Sequence, residues 1–297
     1  MSPVEIQFCR DAAIKVLGLL LHATFPAAVF TISCNISIRE FLRELGRRGL
    51  VLRVIAVSSV VTPLITAGML KLIEVPLLCT GVMLIAAIAP GDSFALLEAR
   101  KKKGNIPLAA STMVLLCLIM PFTVPIWLWI YSRWFPLHLM ASPVRLFAEI
   151  APLTIVPLVT GTLLHEFFPA QTRVLQMIAG RFFEVALLIV SLAAVVLGVE
   201  GFAVYTFTSI VLIFIIVSLA LVIGYYAGGS ERQDRITLGL SCSLGNLAVV
   251  LYVAHESYPG VHPLAAAIAF VMIRWAVITF WHLVLKFRLW RRRATVV

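Results

Sequence analysis

The chain has 297 residues, of which 61% are hydrophobic and 13% are charged, and its formal net charge is +10. Because about a quarter of the residues of a soluble globular protein are charged, this composition excludes that class. It indicates an all-α, polytopic membrane protein.

Apolar stretches of about 20 residues, the length needed to cross a bilayer, predict nine transmembrane helices. Their connections are short, so we expect one membrane domain over residues 1–297 and no soluble domain. The predicted spans lie near residues 12–33, 52–73, 75–99, 105–131, 146–168, 182–200, 202–227, 235–256 and 262–287.

The positive charge is concentrated in alternate loops. With the amino terminus placed outside, 18 of the 24 basic residues fall in inner loops, and Arg274 falls within a span. The outer side holds Arg10, Lys15, Lys71, Arg133 and Arg145. This bias follows the positive-inside rule, so it predicts an external N terminus and a cytoplasmic C terminus in a cell (inner) membrane. No nucleic-acid partner is needed to explain the charge.

The five cysteines are scattered in or beside the spans, and none has the spacing of a metal site or a disulfide framework. His22 lies alone on an apolar helix, with no partner at catalytic or metal-binding spacing. We therefore predict no metal, no cofactor and no enzyme activity.

Two of the predicted spans contain interruptions. Pro90, Gly91 and Asp92 interrupt the third span, and Gly239, Ser241, Ser243, Gly245 and Asn246 lie in the middle of the eighth. Proline and glycine weaken a helix, and broken backbone inside a bilayer is tolerated where it lines a cavity. In secondary transporters that cavity is commonly the binding site. Alternatively, the small residues serve only close helix packing.

The interruptions occupy corresponding places in two halves of the chain. Residues 12–131 and 182–287 hold four spans each, with the span at 146–168 between them. An offset of five spans places the halves in opposite orientations, which predicts an inverted-topology repeat.

The chain resembles the bile acid:sodium symporter superfamily. The likeness is carried by Pro90-Gly91-Asp92-Ser93, Gly104-Asn105, and Gly239 with Gly245-Asn246. It implies two discontinuous helices that cross near the membrane centre. It also implies a core domain of spans 2, 3, 4, 7, 8 and 9, and a panel domain of spans 1, 5 and 6.

Several positions depart from the sodium ligands that the resemblance implies. In the eighth span, Ser241 and Gly245 stand where the family has a glutamate and a glutamine ligand. In the third span, Ala95 and Leu96 stand where it has a Ser-Asn pair. In the second span, the family's glutamine ligand corresponds to a position near Ser58. Hydroxyl ligands of the fourth span fall beside Ser111 and Thr112. Sodium binding should therefore be weak or absent, and we expect proton coupling or no coupling.

Two charged residues are candidates for function near the membrane centre. Asp92 either caps the second half-helix of its span or carries the coupling proton or cation. Arg274, at the midpoint of the last span, either binds an anion through two parallel hydrogen bonds or forms an ion pair with Asp92. The full predicted set is Arg274, Asn246, Ser93, Ser241 and Ser243 for substrate, Asp92, Ser58, Ser111 and Thr112 for the coupling ion, and Pro90, Gly91, Gly239 and Gly245 as hinges.

The sequence thus favours a secondary transporter of a small organic anion that works by alternating access. Two alternatives stay open, a sodium-coupled symporter of bile-acid-like or carboxylate substrates and a membrane sensor on the same fold. A sensor needs an output module, yet only about ten residues follow the last predicted span.

The charge bias predicts the topology directly. A reporter fused after Val297 should be active on the cytoplasmic side, and one fused before Met1 on the external side. Two termini on the same side would contradict the nine-span prediction and the inverted repeat with it.

Overall fold

The computed structural model describes residues 3–91, 93–137, 142–197, 200–258 and 262–294, and every regular element within them is helical. Seven helical stretches within them are long and apolar enough to cross a membrane, with the continuous stretch Arg48–Leu72 counted as one, as expected of a multi-pass membrane protein. The helices are α1 (Pro3–Ser33), α2 (Ile38–Leu45), α3 (Arg48–Ala56), α4 (Thr62–Leu72), α5 (Leu77–Ile88), α6 (Ser93–Lys101), α7 (Ile106–Trp134), α8 (Pro143–Phe167), α9 (Pro169–Leu197), α10 (Glu200–Ala203), α11 (Phe207–Ala227), α12 (Arg232–Ser243), α13 (Leu247–Ser257) and α14 (His262–Ala294).

The remaining two predicted spans, 75–99 and 235–256, each consist of two shorter helices. The first pair is α5 and α6, and the second pair is α12 and α13. The second predicted span is continuous but contains a π-helical segment, Val57–Val61, between α3 and α4. The total of nine spans stays a prediction.

Helix α9 begins much earlier than the sequence indicates. Hydropathy places the start of the sixth span at residue 182, whereas α9 starts at Pro169, directly after α8. Proline is favourable in the first turn of a helix because it has no N–H to leave unsatisfied. The polar residues that follow, such as Gln171 and Arg173, lower the hydropathy without opposing helix formation.

The two interruptions meet in space. Pro90 and Gly245 form an isolated antiparallel bridge, and the backbone N–H of Asn246 donates to the carbonyl of Ala89 at 2.7 Å. The extended segments between the half-helices therefore cross and pair with each other. This pairing satisfies backbone groups that no water could satisfy in the interior of a bilayer.

Asn246 joins the two interruptions with its side chain. Its Oδ1 accepts hydrogen bonds from the backbone N–H of Ala248 at 3.1 Å and of Val249 at 3.3 Å, which caps α13. Its Nδ2 donates to the carbonyl of Gly91 at 3.1 Å. Gly91 has φ of +86°, a conformation that favours glycine.

Three of the four predicted hinge residues, Pro90, Gly91 and Gly245, lie at this crossing, and Gly239 does not. Gly239 lies inside the unbroken helix α12. A Cβ on it would come within 3.1 Å of the carbonyl oxygen of Leu221 on α11. Gly239 therefore allows α12 to pack closely on α11. The break between α12 and α13 falls at residues 244–246.

Polar contacts also hold the first turns of α12, at the end of this helix away from the crossing. Asp234, in the first turn of α12, is 2% exposed and forms an ion pair with Arg47. It also accepts a hydrogen bond from Nδ2 of Asn105 at 2.8 Å. The hydroxyl of Thr237 accepts from the backbone N–H of Asn105 at 2.8 Å. These contacts fix the start of α12 against the start of α7.

The double role of Asn246 predicts an unusually costly substitution. Asn246→Ala removes a helix cap, worth about 1 kcal/mol, and leaves the buried carbonyl of Gly91 without its amide partner, at about 1–3 kcal/mol more. Ser142→Ala is the control, because Ser142 caps α8 through the backbone N–H of Arg145 in an exposed position. The melting temperature should fall more for Asn246→Ala, and equal losses would show that the bond to Gly91 adds no stability.

Candidate functional site

A small cavity lies beside the crossing. Its volume is about 40 Å³, and its lining comes from the π-helical segment, α4, α5, α11, α12, α14 and the two interruptions. Within the described residues, no lining residue belongs to α1, α8 or α9, the helices that the resemblance assigns to the panel. The cavity is therefore internal to the part assigned to the core.

The size of the cavity limits what this conformation can hold. One water needs about 10–15 Å³, whereas pockets for drug-sized ligands measure about 300–1,000 Å³. The cavity has room for a few waters and none for an organic substrate. A substrate can occupy this region only after the surrounding helices separate.

Hydroxyl groups line one side of the cavity. Ser58, Thr62 and Thr66 follow each other at four-residue spacing along the π-helical segment and α4. The hydroxyl of Ser58 donates to Sγ of Cys242 at 3.3 Å, so it contacts α12 directly. The hydroxyl oxygen of Thr62 is buried and has no hydrogen-bond partner within the part of the chain that the structure describes. It is a polar group available to a water or a ligand.

Sequence reasoning identified Ser58 but missed Thr62 and Thr66. All three repeat on one face of a continuous apolar helix, so the signal was their spacing. The π-helical segment also escaped prediction, although such segments often mark functional sites. Its Ser59 carbonyl accepts a hydrogen bond from Nε1 of Trp127 at 2.7 Å, which anchors the segment to α7.

The other predicted hydroxyl residues fall into two groups. Ser241 and Ser243 line the cavity, and the hydroxyl of Ser243 donates to the carbonyl of Leu240 at 3.2 Å. Ser111 and Thr112 are buried on α7 and are absent from the lining. Thr112 nevertheless reaches Ser241, with 3.5 Å between the two hydroxyl oxygens.

Among the described residues that line the cavity, Arg274 is the one with a formal charge. It is 2% exposed, and its Nη2 donates to the carbonyl of Gly245 at 2.8 Å. The guanidinium lies 5.5 Å from the centroid of the Phe270 ring, within the range of a cation–π contact. A buried cation of this kind persists only where polar groups compensate its lost hydration.

The two remaining site predictions lie at the first interruption. Asp92 lies outside the described residues, so the predicted ion pair between Asp92 and Arg274 stays a prediction. Ser93 begins α6, next to the crossing, and its role in substrate binding is likewise untested.

A second polar cluster was not predicted, and it corrects the interpretation of His22 as an isolated residue. Nε2 of His22 lies 3.4 Å from the hydroxyl of Tyr252 and 3.9 Å from a carboxylate oxygen of Glu256. Arg145 bridges Glu256 at 3.5 Å and Glu149 at 2.7 Å. The cluster joins α1 and α8 to α13, which links the helices assigned to the panel with one assigned to the core.

Comparison with known proteins gives one match. No curated protein matches the chain, but the model of the sodium bile acid symporter family matches residues 26–223, two thirds of the sequence. The match includes the first interruption and ends within α11, before Gly245 and Arg274. Together with the apolar helices and the broken pair α5 and α6, it shows that the chain belongs to the sodium bile acid symporter family and is a multi-pass membrane transporter of that kind.

Proposed function

We propose that the protein is a secondary active transporter that carries a small organic anion across the inner membrane by alternating access. The observation that carries the proposal is the buried guanidinium of Arg274 in the cavity beside the crossing. The other lining residues are neutral, so the described lining has a net charge of +1. In a medium of low dielectric constant this charge attracts an anion strongly.

The groups around the guanidinium suit an oxyanion. A guanidinium can bind a carboxylate or a sulfonate through two parallel hydrogen bonds. Ser241 and Ser243 add hydroxyl groups from α12 to the same cavity. Asn246 and Ser93 lie where α13 and α6 begin, and the N-terminus of a helix favours negative charge. These five residues are the proposed substrate set.

Alternating access follows from the arrangement of the helices. Helix α1 packs against both α8 and α9, and these three form the proposed panel. In the proposed core, α5 packs against α13 and α14, while α12 packs against α6 and α7. In an inverted repeat of residues 12–131 and 182–287, α5, α6 and α7 would correspond to α12, α13 and α14. The contacts of α5 with α13 and α14 then correspond to those of α12 with α6 and α7, which supports the repeat. Pro90, Gly91, Gly239 and Gly245 are the proposed hinges.

Coupling to protons, or no coupling, fits the oxygens of this site better than sodium does. Sodium is a hard cation that needs several oxygen ligands. The described lining supplies neutral hydroxyls such as Ser58 and Ser241, and no carboxylate. Asp92, Ser111 and Thr112 stay in the proposed coupling set. The second candidate is a sodium-coupled symporter of bile-acid-like or carboxylate substrates, which the family match favours.

The anion proposal is tested by ligand-induced stabilisation of the purified protein. Organic acids that bind the native state should raise its melting temperature. Arg274→Lys keeps the charge but loses the two-pronged geometry, so the affinity for a stabilising acid should fall by about 1–3 kcal/mol. Arg181→Lys is the control, because the Arg181 side chain is 80% exposed and pairs only loosely with Glu184 at 3.6 Å.

Unchanged affinity in Arg274→Lys would show that two-pronged recognition is not used. Unchanged affinity in Arg274→Ala as well would place the anion elsewhere.

The coupling proposal is tested by ion replacement. Replacing sodium by choline at fixed pH and ionic strength should change the affinity for the acid and its rate of uptake by less than about twofold. A tenfold change in affinity would correspond to about 1.4 kcal/mol. A steep dependence on sodium concentration would favour the second candidate and would make Asp92 the first residue to test as a substitute ligand.

A further inference from the structure

Two half-helices end at the same place. Helix α5 ends at Ile88 and α12 ends at Ser243, and both C-termini point into the crossing. The last four carbonyls of a helix have no partner within the helix, and together they carry about half a negative charge. Residues of both final turns line the cavity, namely Ala86 and Ala87 from α5 and Ser241 and Cys242 from α12.

Such a place is suited to a cation. In transporters with discontinuous helices, unwound carbonyls and the C-terminal ends of half-helices coordinate the coupling cation. Two converging C-termini double the negative potential, and the described lining adds no carboxylate to it. Among the described lining residues, backbone carbonyls therefore supply the negative potential that favours a positive charge at this place.

The guanidinium of Arg274 lies at this place. Its Nη2 donates to the carbonyl of Gly245 at 2.8 Å. Its Nη1 lies 2.8 Å from the point where a Cβ on residue 245 would stand. The carbonyl oxygens of Ala89 and Ala86 lie 2.8 Å and 2.9 Å from that same point. The positive group and the carbonyls of both interruptions thus converge on one small volume.

Glycine at residue 245 is required by the backbone carbonyls of Ala86 and Ala89, which cannot move aside as the end of a flexible side chain can. Any side chain there would overlap with Nη1 of Arg274 and with two backbone carbonyls. The space that a side chain at residue 245 would fill is therefore filled by a side chain from α14. The two residues form a complementary pair, one providing the room and the other the charge.

We infer that Arg274 is a tethered cation, which permanently occupies a cation site formed by the C-terminal ends of α5 and α12. A free monovalent cation is then excluded from the site in the native protein, and the site would accept one when the guanidinium is removed. The inference rests on the proposed transport function, since it explains how such a transporter can dispense with a coupling sodium ion.

The test removes the guanidinium and supplies a free cation. Purified Arg274→Ala is melted in sodium chloride, guanidinium chloride or choline chloride at equal, low ionic strength and without an organic acid. Choline is the control for ionic strength because it is too large for the site. We expect Arg274→Ala to melt below the native protein in choline, and sodium or guanidinium to raise its melting temperature saturably by about 2 °C or more. The native protein and Arg181→Ala should show no difference among the three salts.

Arg274→Gln keeps the inference testable if the alanine variant does not fold, because glutamine is neutral and shorter and leaves room for a small cation. Equal melting in all three salts would overturn the inference, and so would failure of both variants to fold in any of them. The readout needs no substrate, so it is separate from the anion test. If the native protein transports no anion but cations stabilise the Arg274 variant, the proposed function is contradicted and the inference about the cation site is not.

Discussion

Two unwound segments in the middle of a membrane protein can exist only if they satisfy each other, and the contact between residues 89–91 and 245–246 does so. An unsatisfied backbone group in hydrocarbon costs several kcal/mol. The bridge between Pro90 and Gly245 and the bond from Asn246 to Ala89 remove part of that cost. The amide of Asn246 removes more, because it serves Gly91 and the start of α13 at once. This contact positions the ends of α5 and α12 and the start of α13 relative to each other.

The crossing also determines where charge can be placed. It brings two helix C-termini and two helix N-termini to one region, so positive and negative groups are favoured on different sides of it. Arg274 donates to the carbonyl of Gly245, which lies between the end of α12 and the start of α13. In the proposed function, an anion that approaches the N-terminal end of α6 or α13 would meet favourable backbone dipoles and the nearby charge of Arg274. Recognition of an anion and omission of a sodium ion can therefore come from the same residue.

Much of this organisation could be predicted from local sequence. Pro90-Gly91 and Gly245-Asn246 indicate broken helices because their residue types oppose a continuous helix, and the structure places the breaks there. The start of α9 was missed because hydropathy does not distinguish a polar helical turn from a loop. Gly239 was assigned to the break, although its contact with α11 depends on tertiary packing that no local pattern reveals.

The cluster around His22 was out of reach for the same reason. Its members come from three helices whose contributing segments are more than 100 residues apart, and each one alone is typical of an interfacial side chain. Only the packing of α1 and α8 on α13 brings them together. The cluster joins two helices of the proposed panel to one of the proposed core, in a conformation whose central cavity is too small for an organic substrate. In the proposed alternating access, a movement that opens the site changes these contacts between the proposed panel and the proposed core.

The central claim is that this crossing carries an organic anion from one side of the membrane to the other. Counterflow into proteoliposomes tests it most directly, using an acid that stabilises the purified protein. Vesicles preloaded with the unlabelled acid should transiently accumulate the labelled acid above its external concentration, and vesicles without the protein should not. An acid that binds the protein without any exchange across the membrane would contradict the account and would favour a membrane sensor built on the same fold.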